Sequence, residues 1–112
     1  MKTNSNNKQE IPKSKTPALD LIRKGWCKKS LAKKSNGRVT FVESSDAVSF
    51  CSIGAIRKAY PINRKYFAMI RRFHKVIIGS AVITSWNAIS SWNDHPKRTH
   101  EEVIAAFQKA KI

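Results

Sequence analysis

The sequence predicts a mainly α fold: a compact bundle of about five helices, with room for one short β-hairpin near residues 30–43. Three observations lead there. Apolar residues recur at three- and four-residue spacing along most of the chain. Capping residues and helix breakers bound the periodic stretches. Only Arg38 to Val42, after the turn pair Asn36-Gly37, reads as a strand.

The first helix is expected at about 17–24. Thr16 can cap it, Pro17 suits its first position, Leu19, Ile22 and Trp26 recur at helical spacing, and Gly25 can end it in the left-handed region. In the strand-like segment, Val39 and Phe41 share one face. Ser44-Ser45-Asp46 supply N-caps for a second helix, Ala47 to about Ala59, with Val48, Cys51, Ala55 and Ala59 on one stripe. Gly54 inside that helix costs about 1 kcal/mol relative to Ala, which points to close approach of another helix. Pro61 stops it.

Asn63 caps a third helix, about Arg64 to Ile78, burying Tyr66, Ile70, Phe73 and Ile77 and ending at Gly79. A fourth helix is expected from Ser80, with Val82, Ile83, Trp86 and Ile89 inward. Trp92 to Pro96 then reads as a turn. Thr99-x-x-Glu102 is a capping box for a fifth helix, His100 to about Ala110, with Val103, Ile104, Phe107 and Ala110 inward. Glu101 and Glu102 complement its dipole at one end, and Lys109 and Lys111 at the other.

The chain has 112 residues, with 22 Lys+Arg against 7 Asp+Glu and a formal net charge of +15. Residues 1–38 carry a net +9 and residues 39–112 a net +6. Residues 1–15 are almost devoid of apolar side chains and are expected to form a basic disordered tail, leaving 16–112 as one helical domain. No apolar run reaches the roughly 18–20 residues of a membrane span, and the first residues lack the apolar core of a secretory leader. Two Cys are too few for a disulfide scaffold. A cytoplasmic, reduced protein without a membrane partner is the expectation.

Four short signatures stand together: Gly25-Trp26-Cys27, Cys51-x-x-Gly54-Ala55-Ile56, Trp92-Asn93-Asp94, and Arg98-Thr99-x-Glu101-Glu102-Val103. In this order and spacing the chain resembles, over about residues 18–110, a small family known as a domain of unknown function in bacteria and their phages. The resemblance implies a single mostly helical domain and no particular activity. The Lys-rich 28–34 segment and the basic tail depart from the pattern.

Candidate chemistry narrows quickly. Cys27, Cys51, His95 and His100 lack the Cys-x-x-Cys pairing of a metal site. Cys27 with His95, oriented by Asp94 or Asn93, carries no nucleophile signature. No GxxxxGK[ST] phosphate loop is present. The sequence thus supports neither a cofactor nor an enzyme. No helix-turn-helix, zinc finger or RNA-binding sheet motif calls for base reading.

Two functional readings remain. In the first, a small basic non-enzymatic protein binds the backbone of DNA or RNA through Lys28, Lys29, Lys33, Lys34, Arg64, Arg71, Arg72 and Lys75. In the second, a phage or bacterial accessory protein binds a small ligand, or a host protein with an acidic surface, at Trp26, Cys27, Cys51, Trp92, Asn93 and Asp94. Against the second stands a plain structural use of Trp92-Asn93-Asp94, since Asn and Asp in turns commonly bond nearby backbone amides.

Overall fold

Helix α1, Pro17–Lys24, begins at the proline and buries Ala18, Leu19 and Ile22. Thr16 makes no side-chain cap. The amide of Ala18 instead donates to the carbonyl of Ile112 at 3.0 Å. The structure, a computed structural model, describes residues 14–85 and 87–112. Most of the expected tail and Trp86 lie outside the described residues.

Gly25 is extended (φ −175°) rather than left-handed. Its lack of a side chain serves a close approach, because a Cβ there would stand 2.3 Å from the carbonyl oxygen of Val48.

The hairpin, which the sequence leaves open against an extended loop packed on helices, forms as β1 (Ala32–Lys33) and β2 (Val39–Thr40), antiparallel, with Gly37 at φ +84° in the connecting turn. A third strand, β3 (Ser49–Phe50), pairs antiparallel with the other edge of β1, giving the order β2-β1-β3. Phe50 also bridges Trp26. The face shared by Val39 and Phe41 points to solvent, at 67% and 81% exposure, and Val42 reaches the core instead.

β3 overturns the expected start of the second helix. Helix α2 runs Ser52–Ala59, not from Ala47. Residues Ser44 to Ala47 form a turn, with the Asp46 amide on Ser44 Oγ and the Ala47 amide on the Ser44 carbonyl. Phe50 then finds two flanking backbone segments, Gly25 to Cys27 and β1, which outweigh a further helical turn. The N-cap is Cys51, whose Sγ accepts from the Gly54 amide at 3.3 Å. Gly54 is demanded by close approach, but of the Leu31 backbone rather than of another helix.

Helix α3, Arg64–Ile78, matches its expected limits, with Asn63 capping Lys65 and Tyr66 and Gly79 left-handed at φ +98°. It buries Met69, Ile70, Phe73 and His74. Helix α4 is shorter than expected, Ala88–Asp94. Residues 80–85 and Asn87 leave the helix because Ser80 Oγ and Ser85 Oγ bond the Val82 and Asn87 amides, offering the backbone a local alternative. Val82 is accordingly 71% exposed, while Ile89 stays buried. Trp92-Asn93-Asp94 forms the last turn of α4 rather than a separate turn after it.

Helix α5, His100–Ala110, carries the complete capping box. The Thr99 amide donates to the Glu102 carboxylate at 2.9 Å, and this bond, with help from Arg98, holds its carboxyl below the usual range.

Helix α1 packs on α2 and α5, and α3 packs on α2, α4 and α5. Phe73 and Phe107 lie fully buried at the centre, with ring centroids 4.4 Å apart. Ile22, Ile56, Val103 and Ile112 complete the core. The architecture is mainly α, with five helices and a small three-stranded antiparallel sheet among the described residues.

Candidate functional site

Asn93 is 1% exposed and lies where α4 meets the Trp26 segment and the start of α2. Its Oδ1 accepts from Trp26 Nε1 at 2.8 Å, the Ser52 amide at 2.9 Å and Ser52 Oγ at 2.7 Å. Its Nδ2 donates to the Cys27 carbonyl at 3.1 Å and to Asp94 Oδ1 at 2.9 Å. The reverse amide orientation would aim NH2 at the indole and amide donors, so the network itself fixes the flip. One side chain therefore ties together segments 41 and 67 residues away in sequence.

The neighbours extend this clasp. Asp94 Oδ1 also accepts from the amide of Lys29, which is left-handed at φ +68°. Lys28 Nζ donates to the His95 carbonyl at 2.7 Å and lies 5.4 Å from the centre of the Trp26 ring. Arg98 stacks over Trp92 at 4.1 Å and donates through Nε to the Trp92 carbonyl. Trp26 stacks on His100, whose Nε2 bonds the Ile22 carbonyl.

The structure thus brings Trp26, Cys27, Cys51, Trp92, Asn93 and Asp94 into one region. Asn93 spends both ends of its amide on internal partners. A hollow of about 200 Å³ beside it is walled in part by Lys29, Ser30, Cys51 and Asp94.

The two cysteines are free and buried. Burial pushes the Cys51 thiol up to about 11 and raises that of Cys27 as well. Neither is poised as a thiolate at neutral pH. His95 Nδ1 faces the Lys97 amide at 3.1 Å, committing that nitrogen within the turn. Among the described residues, no three His, Cys, Asp or Glu side chains gather into a possible metal site.

The eight basic candidates divide by what holds them. Lys28 is engaged with the turn after α4. Arg72 Nη2 donates to the Ala110 carbonyl at 2.7 Å and so closes the end of α5. Lys33 lies in β1 and Lys34 in the hairpin turn, both half-buried, and Lys29 is exposed. Arg64, Arg71 and Lys75 are exposed on α3. Seven and four residues apart, they fall on one face of that helix. The two groups of cations are carried on different elements.

One signal escapes a charge count by halves. Residues 47–93 contain no Asp or Glu at all, while holding Arg57, Lys58, Arg64, Lys65, Arg71, Arg72 and Lys75. This acid-free span builds β3, α2, α3 and most of α4. It also encloses an apolar groove of about 400 Å³, walled chiefly by Ile53, Phe67, Ile70, Val82, Ile83 and Ile89, with Arg71 at its edge. Two ion pairs occur among the described residues, Arg57–Glu43 at 4.0 Å and Arg98–Glu102 at 3.6 Å. No helix among the described residues is long and apolar enough to cross a membrane.

No curated protein and no solved structure matches the chain. A protein family does match, along residues 16–111, which takes in every described helix and the clasp around Asn93. The chain belongs to that family, one of unknown function (DUF6197).

Proposed function

We propose that this protein is a small, non-enzymatic, basic protein that binds the phosphate backbone of nucleic acid. The observation that carries the reading is the exposed Arg64, Arg71 and Lys75 face of α3, set in a 47-residue span, 47–93, without a single carboxylate. Arg64, Arg71 and Lys75 make no ion pair among the described residues, and such cations bind phosphates with release of counterions. Lys29, Lys33 and Lys34 add a second basic segment. Lys28 and Arg72 serve the fold through their carbonyl contacts and are left out of the phosphate-binding set. The raised thiols and the internally committed Asn93 argue for binding rather than catalysis.

The test is fluorescence anisotropy with a labelled oligonucleotide across a salt series. With about four to six phosphates contacted, affinity is expected to fall on the order of 10²–10³-fold between 50 and 200 mM salt. Changing Arg64, Arg71 and Lys75 together to Gln is expected to lower the salt slope by about three. A flat salt response in the unaltered protein would sink the reading. An unchanged slope in the triple variant would remove α3 from the contact surface.

A further inference from the structure

We propose that the groove between α3 and residues 81–85 docks an acidic amphipathic helix of a partner protein. This goes beyond phosphate binding, because a phosphate backbone offers nothing to an apolar groove.

The groove is apolar in its walls and basic at its edge. Phe67 and Val82, 46% and 71% exposed, stand at its opening. Side chains this large and apolar are costly to leave in water when they form a continuous surface. Along α3 the same face carries Arg64, Phe67, Arg71, Lys75 and Ile78, all exposed. Their spacing of three, four, four and three residues keeps them within one stripe. The stripe runs about 21 Å at 1.5 Å per residue, the length of roughly four helical turns.

Charge selects the occupant. The groove walls come from the span that lacks Asp and Glu, so a basic or neutral segment would gain nothing at its edge. A partner helix with apolar anchors at i, i+4 and i+7 could place them against Phe67, Ile70, Val82 and Ile83. Glu or Asp on its flanks would meet Arg64, Arg71 and Lys75. Nucleobases are the rival occupants, with Tyr66 and Phe67 as stacking faces, but the Ile53, Ile70, Val82, Ile83 and Ile89 walls offer little to their polar edges.

The probe is a fluorescein-labelled helical peptide of about 16 residues, with Leu at i, i+4 and i+7 and Glu and Ala elsewhere. Its control carries Gln for Leu at identical charge. The unaltered protein is expected to bind the Leu peptide at least about tenfold more tightly than the control, a difference that apolar burial alone can supply. Val82→Lys adds positive charge at an exposed position. It should weaken the Leu peptide about tenfold or more while leaving oligonucleotide affinity undiminished. Arg71→Gln should weaken the Leu peptide and make its binding less sensitive to salt. Far-UV circular dichroism checks that each variant is folded.

Equal affinity for the Leu and Gln peptides would overturn the proposal, since only charge would then be at work. So would a Val82→Lys variant that binds the Leu peptide unchanged, or one that loses the oligonucleotide instead. Loss of the oligonucleotide would place bases in the groove. A protein that binds the peptide but no oligonucleotide keeps this proposal and removes the phosphate-backbone reading.

Discussion

Asn93→Ala is expected to destabilise the protein by at least about 3 kcal/mol, because buried polar groups left without partners cost about 1–3 kcal/mol each. The variant strands Trp26 Nε1, the Ser52 amide, Ser52 Oγ and the Cys27 carbonyl together. A cavity adds to the loss, since Asn93 is almost fully buried. The full sum of four orphaned groups is not expected, as water entering the gap recovers part of it. Asn93→Asp separates shape from bonding. It keeps an acceptor for Trp26 and Ser52 but loses the donor to Cys27 and sets a second carboxylate beside Asp94.

Urea unfolding monitored by far-UV circular dichroism measures both variants. Ser91→Ala, on the exposed side of the same helix, should stay within about 0.5 kcal/mol of the parent. A loss under about 1 kcal/mol for Asn93→Ala would show that the clasp contributes little, and would reopen Asn93 as a residue kept for a ligand.

Gly54→Ala is the second large effect, and its sign runs against helix propensity. An alanine inside an unconstrained helix gains about 1 kcal/mol over glycine. Here the added Cβ would stand 2.0 Å from the Leu31 carbonyl oxygen and 2.9 Å from its carbon. Leu31 cannot yield freely, because the same oxygen accepts from the Cys51 amide at 3.1 Å and the next residue begins β1. The expected outcome is a net loss of about 3 kcal/mol from forced displacement of backbone. Gly37→Ala gives the contrast. Open space surrounds it, so only its positive φ is strained, and about 1 kcal/mol should be lost. Chemical denaturation of the two variants side by side checks the order. A stabilised Gly54→Ala would mean that α2 and the Leu31 segment are not packed as described.

The helices legible in the sequence are those whose limits are set by their own residues. Pro17 starts α1, Asn63 and Gly79 bound α3, and Thr99 with Glu102 opens α5. Each signal is complete within a few positions. The start of α2 was not legible, because Phe50 is drawn into a strand by partners near Trp26 and Ala32. The helix-like spacing of Val48, Cys51 and Ala55 was genuine but was outcompeted at its start. The start of α4 failed for a local reason, the Ser80 and Ser85 side chains bonding the Val82 and Asn87 amides.

The site was half legible. Trp92-Asn93-Asp94 stands out in the sequence, but as a turn bonding nearby amides or as a binding site, whereas the bonds of Asn93 reach Trp26, Cys27 and Ser52. Those partners were not legible, since Trp26 and Ser52 are distant in sequence and nothing at either position names the other. The groove was hidden because it depends on residues 80–85 leaving the helix, which turns Val82 outward.

The Ser52 amide has an unusual acceptor for the first residue of a helix: a side chain on a different helix. First-turn amides ordinarily exchange with solvent readily, since they have no partner within the helix. Deuterium uptake at Ser52 should therefore follow the departure of α4 and not the fraying of α2. One backbone proton thus becomes a clock for the opening of the clasp, readable in the unaltered protein.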